Sequence, residues 1–270
     1  MSASKQTFSR GNYWFTQLAS DACDVSGLCA SVKAADGKLG QHDVRYIAVI
    51  PDAENRYPRA AAGEVGLLEG WTLAKVVNQV IDEDADKTVK RAIVAIIDVP
   101  SQAYGRREEA FGIHQSLAGA AGAYANARLA GHPIVGLIVG KAMSGAFLAH
   151  GYQANKLIAF NNPGVMIHAM GKESAARITL RSVEALEKLA AEVPPMAYDI
   201  ENYATLGLLS QLMDISNPEN PTEAEIAKVK SVVDESISEI VLQGVYLSNR
   251  LGADNRASSS KVRELMREQW

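Results

Sequence analysis

Six residues, Gly140-Lys141-Ala142-Met143-Ser144-Gly145, carry the clearest chemical signal in the chain. Before them runs a short apolar stretch rich in Val and Ile, Ile134 to Val139, and after them small and apolar residues continue to His150. That order predicts a buried strand turning sharply into a helix packed on a sheet. The first amides of a helix have no intrahelical acceptor, so at such a junction they can point at a developing negative charge. Glycine at position 145 lets a ligand carbonyl approach the backbone without meeting a Cβ. A second reading uses the same residues: Gly140 and Gly145 merely permit close packing of helix on strand. Spacing leaves both readings open.

Other groups divide in the same way. Arg106 and Arg107 stand at the start of a predicted helix, where the dipole disfavours cations. Either they meet an anionic partner, or Glu108 and Glu109 balance them in a solvated loop. Asp98, at a strand end, reads as a turn or cap residue, and His132, before Pro133, as a turn residue.

The totals narrow the classes. The 270 residues suffice for one large domain or two small ones with a substantial core. A formal net charge of −4 argues against nucleic acid or an anionic membrane as the main partner. No apolar run approaches the ~20 residues that span a bilayer. The first residues, MSASKQTFSRGNYW, lack the apolar core of a secretory leader, which predicts a cytoplasmic protein. In that compartment Cys23 and Cys29 read as reduced thiols rather than a disulfide. There is no CxxC, HExxH, Walker loop or GxGxxG, so a hydrolytic metal and a phosphate cradle of those kinds both lack support.

The elements that position the glycines are legible in outline. Strands are predicted at Val44 to Ile50, Ala92 to Ile97, Ile134 to Val139 and Leu157 to Phe160, and helices at Phe8 to Ala19 and Leu67 to Ile81. A long alanine-rich helix is predicted from about Arg106 to Leu129, packed close to another backbone. Gly27 to Leu39 reads as irregular or edge structure, and Asp52 to Gly63 as a loop. After His168 the pattern is helical: Lys172 to Val193, Ala197 to Tyr203, Leu206 to Leu212, then Thr222 to Ile240, where Thr222 and Glu225 are spaced as a capping box. Ala253 to Trp270 reads as a terminal helix. Alternating strands and helices of these lengths imply parallel strands joined by crossovers. The expected organisation is an N-terminal segment (1–40), an α/β core (41–170) and a helical region (171–270) that packs on the core or on a partner subunit.

Taken together, DVPSQAYGRREEAFG (98–112) and VGKAMSGAFLAHGYQANKLIAF (139–160) resemble the crotonase superfamily, with its spiral of β-β-α units. Within it, these stretches and NNPGVMIHAM (161–170) and YATLGLLSQLMDI (203–215) are similar to the carboxyltransferase subunits of acyl-CoA carboxylases, and above all to the gamma subunits of biotin-independent malonate decarboxylases. The resemblance covers most of the chain and is weakest in the first forty residues.

Carried over position by position, the resemblance implies an oxyanion hole from the backbone amides of Gly105 and Gly145. Tyr104, Arg106, Ala142, Met143 and Ser144 would then line the thioester channel. Where the hydratases of the superfamily carry a catalytic glutamate, this chain has Leu148, which argues against hydratase chemistry. Carboxyltransferases show Gly-Gly-Ser-Gly-Gly where this chain has Ala142-Met143-Ser144-Gly145-Ala146, and a bulky Met143 would narrow a biotin pocket.

The chemistry implied is decarboxylation of a malonyl thioester to an acetyl thioester and carbon dioxide through an enolate. No metal is implied and no covalently bound cofactor. A homologous beta subunit would complete the site. The malonyl group would arrive on the CoA-derived prosthetic group of an acyl-carrier protein, the delta subunit, loaded by an alpha transferase subunit. Arg56 and Arg59 could meet a phosphate of that arm or simply face solvent. His114, His150 and His168 are candidate proton donors, each with an ordinary structural role as the competing reading. Two alternatives stand beside this one: a biotin-dependent carboxyltransferase subunit, and a non-catalytic subunit that stabilises its partner.

Overall fold

The computed structural model describes residues 8–270, so the first half of the leader reading lies outside the described residues. In chain order the elements are α1 (Arg10–Leu18), β1 (Cys23–Asp24), β2 (Val32–Leu39), β3 (His42–Val49), α2 (Leu67–Glu83), β4 (Ala92–Val99), α3 (Arg106–Ala110) and α4 (Ile113–Leu129). There follow β5 (Ile134–Met143), α5 (Ser144–Ala149), β6 (Lys156–Phe160), β7 (Met166–His168), α6 (Lys172–Ile178), α7 (Val183–Glu192), α8 (Ile200–Ala204), β8 (Gln211–Met213), α9 (Glu223–Gln243) and α10 (Ala257–Gln269).

One sheet runs in the order β1-β2-β3-β4-β5-β6-β8. Its first three strands are antiparallel and the rest parallel. The central strands β4 and β5 open with unbroken apolar runs, Ala92 to Ile97 and Ile134 to Val139, because both faces are covered there, as parallel sheets require, and turn polar only towards their ends, at Asp98 and Lys141. Ile93 to Ile97, Val135 and Leu137 to Val139 are sealed from solvent. Strand β5 changes partner along its length: Val135 to Ile138 pair with β6, and Lys141 to Met143 with β7. The end of β5 is therefore shared between strands, and the candidate chemistry sits there.

Helices α2 and α4 cross closely. A Cβ at Gly70 would stand 2.2 Å from Ser116 Oγ, and Ser116 Oγ donates to the carbonyl of Leu67 at 2.9 Å. This is the close backbone approach that the alanine-rich sequence predicts. Helix α9 packs on β5 and α1. Its capping box forms as expected, with Thr222 Oγ1 accepting from Glu225 N–H and the Glu225 carboxylate accepting from Thr222 N–H.

Several elements differ from the sequence expectation. Of Gly27 to Leu39, expected as irregular or edge structure, Val32–Leu39 is a regular strand that pairs along its full length with β3 and lies next to the sheet edge, with only the two-residue β1 outside it. The long helix is broken at Gly112, whose φ of 79° ends the short α3 before α4 begins. Lys172 to Val193 likewise splits into α6 and α7 around Leu180, at φ 54°. Leu206 to Leu212 is not a helix. Gly207, at φ 69°, turns the chain, and Gln211–Met213 adds to the edge of β6, so the helical final third carries one short strand.

At the other end of the sheet a buried charge network joins β2, β3 and α2. Arg45 donates to Asp36, to Glu83 and to the carbonyl of Val76, while Arg91 reaches Asp36, Glu83 and Asp84. Burial acts to raise the Asp84 carboxyl, but hydrogen bonds from Lys87 and from the backbone and side chain of Arg91 outweigh it and hold it down to about 2. A carboxyl lowered on folding contributes stability that is complete above its unfolded value and lost as pH falls through the folded one. Asp84→Asn should therefore lower the melting temperature at neutral pH and narrow the gap to wild type as pH falls from about 4 towards 2. Melting curves across that range check this, and a pH-independent difference would contradict it.

Candidate active site

Strand β5 runs straight on to Met143, so the turn into α5 takes a single residue. Ser144 makes it in the left-handed region, at φ 60°, where a non-glycine side chain is uncommon. The following amide, Gly145 N–H, points out of the helix and donates to the side-chain oxygen of Gln102 at 2.5 Å. The acceptor must be the carboxamide oxygen, since two donors cannot bond each other.

The two glycines of the motif have different reasons. A Cβ at Gly140 would lie 2.2 Å from Asp98 Oδ1. That carboxylate is fixed by accepting from Lys141 N–H, Gly11 N–H and Ser9 Oγ, so Gly140 is a packing glycine and Asp98 a cap. A Cβ at Gly145 would instead meet the Gln102 carboxamide at 2.6 Å, with Leu117 Cδ1 next at 3.4 Å. The tip of one flexible side chain is what fills the space at Gly145.

Two clefts meet here. One, of about 570 Å³, is lined by Gln102, Tyr104, Met143, Ser144 and Arg177 among others. The other, of about 850 Å³, is lined by Gln102, Ser144, Gly145, Leu148, His168 and Tyr203 with a mostly apolar wall. Gln102 and Ser144 stand at the boundary of both.

The structure thus brings Tyr104, Met143, Ser144 and Gly145 together around Gln102. Gly105, Arg106 and Ala142 line neither cleft. Gly105 is the residue before α3, in extended backbone, and a Cβ there would meet the Glu108 carboxylate at 2.6 Å. Ala142 is sealed within the sheet between Val99 and Ile167. Met143 both borders the first cleft and packs on Ala175, Ala176, Leu186 and Tyr198. Arg106 is exposed, whereas Arg107 lies over the ring of Tyr57, at 5.5 Å, with Arg56 at 5.0 Å from the same ring. Arg59 is held by Glu64 at 2.6 Å and lies 4.4 Å from the Tyr104 ring.

Of the three candidate histidines, His168 alone borders a cleft. Its ring stacks on Tyr198 at 3.9 Å, its Nδ1 sits against the backbone of Met170, and burial lowers its basicity. His150 is sealed in the core, where Tyr124 hydroxyl meets Nδ1 and Nε2 meets the carbonyl of Ile96. The carbonyl can only accept, so Nε2 carries the proton and Nδ1 accepts from the tyrosine. Burial pushes the ring down to about 4, which keeps it neutral and structural. His114 is exposed, and His132 meets the carbonyl of Arg91 through Nδ1.

Sequence reasoning missed Gln102. Nothing in its spacing marks it, and it matters only because the chain folds Ser101 to Ala103 across the start of α5. Leu148 does line the second cleft, with no carboxylate in the place of the hydratase acid.

Comparison with known proteins identifies the family. The profile of the malonate decarboxylase gamma subunit matches residues 60–270. Malonyl-S-ACP:biotin-protein carboxyltransferase MADD of Malonomonas rubra is 36% identical over 207 residues, 75% of this chain and 68% of that protein. A chain of a Pseudomonas malonate decarboxylase hetero-tetramer, solved in complex with coenzyme A, is 58% identical with a TM-score of 0.94, covering 97% of this chain and 100% of that one. In the Pseudomonas MdcD-MdcE hetero-dimer the matching chain is 55% identical with a TM-score of 0.90, over 97% of this chain and 99% of that one. Transcarboxylase 12S, 19% identical with a TM-score of 0.66 over 88% of this chain and 43% of its own, shares the fold. The chain belongs to the malonate decarboxylase gamma-subunit family, on a crotonase-like α/β fold with a helical C-terminal region.

Proposed function

We propose that this chain, paired with a homologous beta subunit, decarboxylates a malonyl thioester at the cleft around Gly145. The observation that carries the reading is the Gly145 N–H, which leaves the first turn of α5 and opens on a cleft with a mostly apolar wall. When the bond between the methylene carbon and the carboxylate breaks, carbon dioxide leaves and the electron pair moves onto the thioester oxygen. A fixed N–H donor stabilises that oxygen more in the transition state than in the ground state. A proton then returns to the carbon and gives the acetyl thioester. Gly105 is the second donor in this reading. The support for it is the family resemblance and its place beside Tyr104, which does border the first cleft.

The partner is argued from surface. Leu148 is 51% exposed, Ile178 68% and Leu180 95%, an apolar rim beside the clefts that a second subunit would cover. Helix α10 buries none of its residues, with Val262, Leu265 and Met266 open, and provides a further face for it. A Pseudomonas relative is an MdcD-MdcE hetero-dimer, and another was solved in complex with malonate. We assign delivery of the malonyl group to the CoA-derived arm of an acyl-carrier protein, with an alpha transferase subunit loading it. The unpaired thiols of Cys23 and Cys29 suit a cytoplasmic enzyme.

Carbon dioxide release from a malonyl thioester, by this chain alone and mixed with the beta subunit, tests the reading. Turnover is expected only in the mixture; turnover by the isolated chain would remove the shared site. The MADD likeness favours one other reading, a biotin-dependent transfer. Inhibition of the mixture by avidin would support it, and avidin insensitivity is expected.

A further inference from the structure

The contact that fills the Gly145 position has the chemistry of the substrate itself. Gln102 presents an amide carbonyl oxygen to Gly145 N–H, as a thioester would present its own. Its backbone is held firmly. Val65 N–H donates to Ser101 carbonyl at 3.0 Å, Ala103 N–H donates to Val65 carbonyl at 2.8 Å, and Tyr104 N–H donates to Gln102 carbonyl at 2.9 Å. The main chain around Gln102 therefore stays in place, and its side-chain torsions are what can move. Gln102 borders both clefts, so there is space for the carboxamide on either side.

We infer that the Gln102 carboxamide oxygen holds the position at Gly145 that the substrate carbonyl takes, and that binding exchanges one for the other. The inference rests on the oxyanion reading of Gly145. Gln102 then acts as a positioning residue: it keeps a half-buried N–H paired and aimed, and it competes with every ligand that approaches. No bond is made or broken by it. Its effect falls on affinity, because displacing an existing hydrogen bond lowers the net gain from forming the new one. It also selects for ligands that bring an acceptor of their own, since an apolar group in that place would leave the N–H unpaired.

The test uses the two-subunit complex, with malonyl-thioester turnover and inhibition by the acetyl thioester as readouts. Gln102→Ala removes the competing acceptor; Gln102→Met removes it while keeping the volume. Both should lower KM, and the inhibition constant of the acetyl thioester, by roughly fivefold, the weight of one net hydrogen bond. The change should appear in KM and not in kcat. An unchanged or raised KM in both variants overturns the exchange, as does a fall confined to kcat. If the alanine variant fails to assemble, the methionine variant decides by the same criterion. Gly145→Val is measured in parallel. Full turnover there means the oxyanion reading itself has failed, whereas an inactive Gly145 variant beside wild-type KM in the Gln102 variants means that only the exchange has.

Discussion

Gly145→Val should reduce decarboxylation by the assembled complex at least a hundredfold. The substitution keeps the N–H but walls off the space beside it. A Cβ added at this position would lie 2.6 Å from the Gln102 oxygen, and the two methyl groups of valine would occupy the place where a thioester oxygen must sit. Losing one oxyanion donor typically costs about 3–4 kcal/mol in the barrier, or a factor of about 10²–10³ in kcat. Assembly should survive, because the atom displaced is the tip of a flexible side chain rather than backbone. Gel filtration with the beta subunit separates the two effects. A correctly assembled variant with normal turnover would falsify the assignment of Gly145.

The largest effect on stability is expected at Gly70→Ala. A Cβ there would stand 2.2 Å from Ser116 Oγ and 2.9 Å from both the carbonyl carbon and oxygen of Ser116. The hydroxyl could turn away, but the backbone of α4 cannot give without disturbing its packing on α2. Overpacking of this kind costs typically 1–3 kcal/mol, and contact with backbone places this case near about 3. In a chain of 270 residues that is a fall of roughly 5 °C in melting temperature. Adding Ser116→Gly should recover part of the loss, since it frees the hydroxyl contact and leaves the two backbone contacts. An unchanged melting temperature in the single variant would mean that the helices separate more easily than their crossing suggests.

The two glycines of the 140–145 stretch show where sequence reasoning reaches its limit. From spacing, both fit either a ligand-facing or a packing role. The fold separates them, because Gly140 backs onto the fixed carboxylate of Asp98 while Gly145 faces the movable end of Gln102. The elements around them were legible wherever one segment carries its own signal. The central strands are continuous apolar runs, α2 has apolar residues at helical spacing, and Thr222 with Glu225 announces the start of α9. Legibility failed where a segment takes its shape from a neighbour. Leu206 to Leu212 reads as helix by pattern, yet Gln211–Met213 becomes strand by pairing with β6, and the stretch of α3 and α4 reads as one helix until Gly112 turns left-handed.

By itself, then, the sequence determined the α/β class, the strand-to-helix junction at Ser144 and, through the order of its motifs, the family. Those depend on local periodicity, on the conformational freedom of glycine and on residue order, all of which are written along the chain. Only the tertiary structure decided which polar group meets the Gly145 amide, which histidine borders a cleft, and that Gly105 and Arg106 stand outside the two clefts. Those are distances between residues far apart in sequence: the Gln102 to Gly145 contact joins positions 43 residues apart. A hydrogen bond of that span exists only once β4 and β5 are side by side in the sheet.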